Sequence, residues 1–193
     1  TCAASSRAVA RGAGGVESQW LAPSEPSPRG PVTLSYASTV DGEALDAVAW
    51  LPSKLQLGGP PRPLFVYLHG GGGSGFERLF AGAGALVGEL ERRGWIGIAP
   101  HGREWGLVNQ GCPWTYSAAY VDSLDPAVGP GEQDVLDAID FAKQVLPVDP
   151  DRVYLAGFSL GGRGAYTIGL RNPDRFAALA AISPAIDMYE IYA

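Results

Sequence analysis

Residues 152–166, RVYLAGFSLGGRGAY, constrain this chain more tightly than any other stretch. Val153, Tyr154 and Leu155 form a short apolar run of strand-favouring residues. Ala165, Tyr166 and Ile168 belong to a helix that follows it. Between them lies Gly157-x-Ser159-x-Gly161, a pattern that turns a strand sharply into a helix and lifts a serine off the sheet edge. The spacing has a steric cause. Side chains two residues before and after Ser159 would strike the neighbouring strand and helix, so glycine takes both places. Ser159 is therefore the candidate nucleophile. The backbone N–H of Leu160 then opens the helix, where it can stabilise an oxyanion. In a chain with 27 glycines the pattern arises easily by chance. The strand before it and the helix after it are the context it requires.

The remaining segments alternate in the same way. Residues 32–36 and 44–51 read as two strands joined at Asp41-Gly42, a hairpin signal. Residues 64–68 are a nearly continuous apolar run, as in a strand buried on both faces. Leu79, Phe80, Ala83, Leu86, Val87 and Leu90 recur at helical spacing, ending at Arg92-Arg93-Gly94. Residues 95–99 are a strand stopped by Pro100. Residues 131–146 are the clearest helix, with Glu132 and Asp134 at its positive end and Pro147 and Pro150 stopping it. Residues 176–182 are a last apolar strand. Residues 1–30, rich in Ala, Ser, Gly, Pro and Arg, read as a leader or linker, and residues 31–193 as one domain portion. The expected class is α/β, a mostly parallel sheet with helices on both faces.

Composition removes several functions. Hydrophobic residues make up 46% and charged residues 18%, a globular balance. The net charge of −6 argues against a nucleic-acid surface. No apolar run reaches membrane-spanning length. No cysteine and histidine cluster has metal-ligand spacing, and no cofactor is expected. Cys2 and Cys112 allow one disulfide or two thiols, and Cys2 also suits a lipid-attachment remnant. The chain does not begin with Met, so it reads as processed or trimmed, and its location leans towards secreted or envelope.

A second glycine loop, HGGGGSG at residues 69–75, follows the third strand. Gly70-x-Gly72-x-x-Gly75 also matches a dinucleotide fingerprint, with Glu89 or Glu91 near the place of a ribose-binding acid. That reading leaves Ser159 unexplained. A phosphate-binding P-loop fails because no Gly-Lys-Ser or Gly-Lys-Thr follows. An oxyanion loop explains both glycine runs together: its backbone approaches the substrate and turns an N–H inward. Gly71 is the first candidate donor and Gly72 the second. His69 and His101 read as ordering or pocket-lining residues. Residues 101–130 form a long irregular region in which Trp105, Trp114 and Tyr116 either line an acyl pocket or pack beneath the loop; Trp114 is the substrate-binding candidate.

LHGGG at residues 68–72, APHGR at 99–103, GEQDVL at 131–136, VDPDRVY at 148–154, GFSLGG at 157–162 and NPDRF at 172–176 occur in one order. In that order they resemble the α/β-hydrolase superfamily, nearest to esterases related to polyhydroxybutyrate depolymerases, feruloyl esterases and prolyl-oligopeptidase-like hydrolases. The resemblance spans about residues 32–184. It implies hydrolysis of carboxylic esters, small or polymeric, through an acyl-enzyme on Ser159. It also implies that the acid and then the histidine follow the nucleophile. Here no histidine follows Ser159. Asp187 is a candidate acid; Asp122, Asp125 and Glu132 have no catalytic basis. The resemblance further implies two more strands, so the strand at 176–182 is expected to be central, and a complementing C-terminal polypeptide is expected to bring the histidine and the acid. The alternative is a truncated or degenerate, non-catalytic binding protein.

Overall fold

The computed structural model describes residues 30–70, 84–102 and 130–184. The expected leader, the start of the helix at Leu79, Gly71, the aromatic loop with Trp114, and Asp187 lie outside the described residues.

Six strands form one sheet among the described residues: β1 Gly30–Ala37, β2 Ala44–Leu51, β3 Arg62–Leu68, β4 Ile96–Pro100, β5 Val148–Phe158 and β6 Ala178–Ile182. Their order is β1-β2-β4-β3-β5-β6. β1, β2 and β4 pair antiparallel, whereas β4, β3, β5 and β6 run parallel, so the sheet is mixed and mostly parallel. The β1–β2 turn closes with Gly42 at φ 78° and its N–H donating to the Ser38 carbonyl at 2.9 Å. Glycine is needed there because the left-handed region disfavours a Cβ.

Register sets the two faces. Val32, Ala49, Ile98, Val66, Leu155 and Leu179 lie side by side across the six strands. On this face sit α2, Pro130–Val145, and α3, Leu160–Arg171, whose Val135, Ile139, Ala142, Ala165 and Ile168 share one buried core with the strands. Burying each such leucine or isoleucine contributes about 1.5–3 kcal/mol. The other face receives α1, Gly84–Arg93. Its Leu90 is seated over Gly97, where a Cβ would lie 2.6 Å from Leu90 Cδ1. α1 ends as its residues dictate: Arg92 and Arg93 fill the last turn, Gly94 takes φ 67°, and Trp95 N–H donates to the Leu90 carbonyl at 2.9 Å.

One expectation changes. Pro150 does not end the helix; α2 stops at Val145, and Pro150 lies inside β5, in its exposed opening residues. Proline is tolerated there because that stretch is where pairing with β3 shifts register. β6 is an edge strand among the described residues, with Leu179 39% and Ile182 50% exposed; the expected central place belongs to a sheet completed by two further strands.

Glu132 is fully buried, and its role is more than a helix-end charge. Its carboxylate accepts from Arg171 Nη1 and from Asn172 Nδ2, both at 3.0 Å, fastening the start of α2 to the end of α3. Glu132→Ala is expected to lower stability by about 2 kcal/mol, because it removes a charged acceptor and leaves two donors without it. A denaturant midpoint unchanged from wild type would contradict this role.

Candidate active site

The carboxyl ends of the parallel strands meet at one edge. β3 delivers His69 and Gly70, β4 delivers His101, β5 delivers Ser159 and β6 delivers Ser183. This edge is where open parallel sheets bind ligands.

Ser159 sits between β5 and α3 at φ 54° and ψ −115°. That conformation is strained for a residue with a Cβ. Three contacts hold it. The Ser159 N–H donates to the Ile182 carbonyl at 2.9 Å, and the Arg163 N–H donates to the Ser159 carbonyl at 3.0 Å. The third is the close approach of glycines. A Cβ on Gly157 would lie 2.8 Å from Gly162 N and nearer still to the Gly161 carbonyl. A Cβ on Gly161 would lie 2.5 Å from the His69 carbonyl oxygen and nearer still to that of Leu68. The steric reason inferred for this spacing is thus visible as specific backbone atoms. Gly162 also belongs to the tight cluster, since a Cβ there would come within 2.9 Å of the Ile182 oxygen. The sequence reading had not singled out Gly162 or the β6 contact; the consecutive Gly161-Gly162 pair was the available signal.

Leu160 begins α3, so its N–H stands at the positive end of that helix. Gly70 packs directly against the turn: a Cβ on it would lie 3.3 Å from Ser159 Cβ and 3.1 Å from the Phe158 carbonyl oxygen. Gly71 and Trp114, the other proposed site residues, lie outside the described residues.

The two histidines differ. His69 is buried, with Nδ1 2.8 Å from the Gly70 carbonyl oxygen and Nε2 2.8 Å from that of His101. Both ring nitrogens are thereby engaged by backbone. His101 is half-buried at the end of β4. Burial lowers its imidazole below the ordinary value, nearby Asp46 pulls the other way, and His69 adds to the lowering. Among the described residues no group of His, Cys, Asp and Glu suits a metal ion, and no helix is long and apolar enough to cross a membrane.

Comparison with known proteins agrees with this geometry. Residues 115–193 match the model of the prolyl oligopeptidase family. Over 130 residues the chain is 32% identical to NocK of Nocardia uniformis subsp. tsuyamanensis, a protein named as an esterase; the match covers 63% of this chain and 33% of that protein. Over 39 residues it is 41% identical to the S-formylglutathione hydrolase of Rattus norvegicus, covering 20% of this chain and 14% of that enzyme. Among solved structures, the S-formylglutathione hydrolase of Staphylococcus aureus superposes with a TM-score of 0.62 at 19% identity, covering 86% of this chain and 61% of that one. A ferulic acid esterase of Anaeromyces mucronatus gives a TM-score of 0.62 at 16% identity, covering 90% and 66%. The chain thus spans a third or less of these sequence relatives and about three-fifths of the S. aureus structure.

Proposed function

This chain has the α/β-hydrolase fold and is similar in sequence to a protein named as an esterase, and on that premise we propose that it carries the nucleophile of a serine hydrolase acting on carboxylic esters. The observation that carries the reading is Ser159 at φ 54°, held between β5 and α3 by backbone contacts that only glycines permit. Ser159 Oγ attacks the ester carbonyl, the leaving alcohol departs, and water releases the acyl group. The N–H groups of Leu160 and Gly71 stabilise the oxyanion, each such donor being worth about 10²–10³ in rate. Trp114 lines the acyl side of the site.

The general base and its acid come from a complementing C-terminal portion lying against β6. Three observations support this. His69 is engaged at both ring nitrogens by carbonyls, no histidine follows Ser159, and β6 presents exposed Leu179 along its length and exposed Ile182 beside the turn that holds the serine.

The test is a panel of p-nitrophenyl, feruloyl, polyester and glutathione thioester substrates, given to this chain alone and to the complete protein. Turnover of one ester class by the complete protein, at least 10³-fold above this chain alone, is expected from the loss of a triad member. Specific ligand binding without turnover in either would instead favour a hydrolase fold used for binding, the reading that the lack of a following histidine keeps open.

A further inference from the structure

We infer that Ser183 is a positioning residue whose backbone bend, just past β6, holds the Ile182 carbonyl onto the Ser159 N–H; the inference rests on the reading of Ser159 as nucleophile. β5 and β6 end on paired residues, Phe158 beside Ile182. The residue that follows each of them has a positive φ, 54° at Ser159 and 44° at Ser183. Among the described residues no other residue with a side chain has one. A Cβ disfavours that region, and the ring of Pro184 favours an extended residue before it, so local preference opposes the bend at Ser183 twice. A conformation kept against local preference needs surrounding contacts that over-determine it.

Those contacts belong to the serine turn. The Ser159 N–H donates to the Ile182 carbonyl at 2.9 Å. A Cβ on Gly162, in the first turn of α3, would lie 2.9 Å from the Ile182 oxygen and 3.2 Å from Pro184 Cα. The chain on both sides of Ser183 thus rests on the helix that follows Ser159. An extended residue at 183 would carry Pro184 onward along the strand axis instead of across Gly162. The Ile182 carbonyl and the Ser183 N–H share one planar peptide. With Pro184 resting on Gly162, the φ of Ser183 sets the tilt of that plane and so the direction of the Ile182 oxygen. Rotating the plane would withdraw the acceptor from the Ser159 N–H and release the backbone of the nucleophile. The Ser183 side chain is exposed, so substitutions there act on the bend without disturbing a packed core.

Four substitutions in the complete enzyme separate the bend from the hydroxyl. Glycine and asparagine enter the left-handed region readily, so Ser183→Gly and Ser183→Asn are expected to keep kcat within about threefold. Ser183→Ala loses the hydroxyl and keeps a single Cβ, so it is expected to keep kcat within about tenfold. Ser183→Val opposes a positive φ through its branched Cβ. It is expected to lower kcat by about 10²-fold, the cost of a reacting group misplaced by about 1 Å, with KM changed less than about threefold. Wild-type kcat in the valine variant, an alanine variant as impaired as the valine one, or losses confined to KM would overturn the inference.

A measurement on the unaltered protein guards against misfolded variants. Nuclear magnetic resonance should show the Ser159 amide proton slow to exchange and its nitrogen coupled across the hydrogen bond to the Ile182 carbonyl carbon. The coupling should persist in Ser183→Asn and vanish in Ser183→Val. Fast exchange with no coupling in the unaltered protein would overturn the inference. Failure of the nucleophile reading is seen separately, as an absence of fluorophosphonate labelling on Ser159 in the unaltered enzyme.

Discussion

Ser159→Ala is expected to abolish fluorophosphonate labelling and to lower ester turnover of the complete enzyme by about 10⁴–10⁶, leaving only what the oxyanion donors and binding supply. The change removes one oxygen from a half-buried side chain, so the fold should survive it. A second substitution tests the strain. At φ 54°, Ser159 occupies a region that glycine enters freely and residues with a Cβ do not. Ser159→Gly should therefore be equally inactive yet more stable than Ser159→Ala by about 1 kcal/mol. Labelling of either variant at the wild-type level would remove Ser159 as nucleophile. A glycine variant less stable than the alanine variant would remove the claim that the turn is held in strain.

That turn was legible in the sequence because its requirements are local. Gly157, Ser159 and Gly161 are close neighbours, and the collisions that exclude side chains involve atoms of the same strand, the same helix and the adjacent β3. The hairpin at Gly42 and the end of α1 at Gly94 were legible for a similar reason: each needs a positive φ within a few residues of a recognisable signal. Long-range pairs were not. Nothing in the neighbourhood of Glu132 announces that its carboxylate will meet Arg171 and Asn172, and its place at the start of α2 suggested only a favourable charge. Pro150 misled because proline ends helices and also opens strands; the shift in pairing between β3 and β5 decided which. The apolar run at β6 announces a strand, and its central place is implied only by the resemblance. Composition records what a strand can bury and not what stands beside it, and Ile182 is half exposed. Of the site itself, the serine and the start of α3 could be inferred, whereas the double carbonyl contact of His69 depends on where β4 ends relative to β3.

Gly161→Ala should be the most damaging single methyl that can be added to this chain's described glycines, together with the same change at Gly157. A Cβ on Gly161 meets the backbone of Leu68 and His69, at the end of a central strand whose Leu64, Val66 and Leu68 are fully buried. Backbone cannot rotate aside as a long side chain can. α3 would have to lift from β3, and Ile168 and Ala165 would leave the core with it. The expected loss is about 3 kcal/mol or more, the upper range of overpacking. Activity should fall further than stability, because Ser159, Leu160 and the His69 loop all move with the first turn of α3. Gly88→Ala supplies the contrast. Gly88 lies on the exposed side of α1, and a Cβ there meets nothing within 4 Å. Exchanging glycine for alanine inside a helix should therefore stabilise the fold by about 0.5–1 kcal/mol. Urea denaturation of the two variants beside wild type measures both effects. A Gly161→Ala variant within 1 kcal/mol of wild type would mean that α3 does not rest on β3 as described, and the oxyanion role proposed for the Leu160 N–H would fall with it.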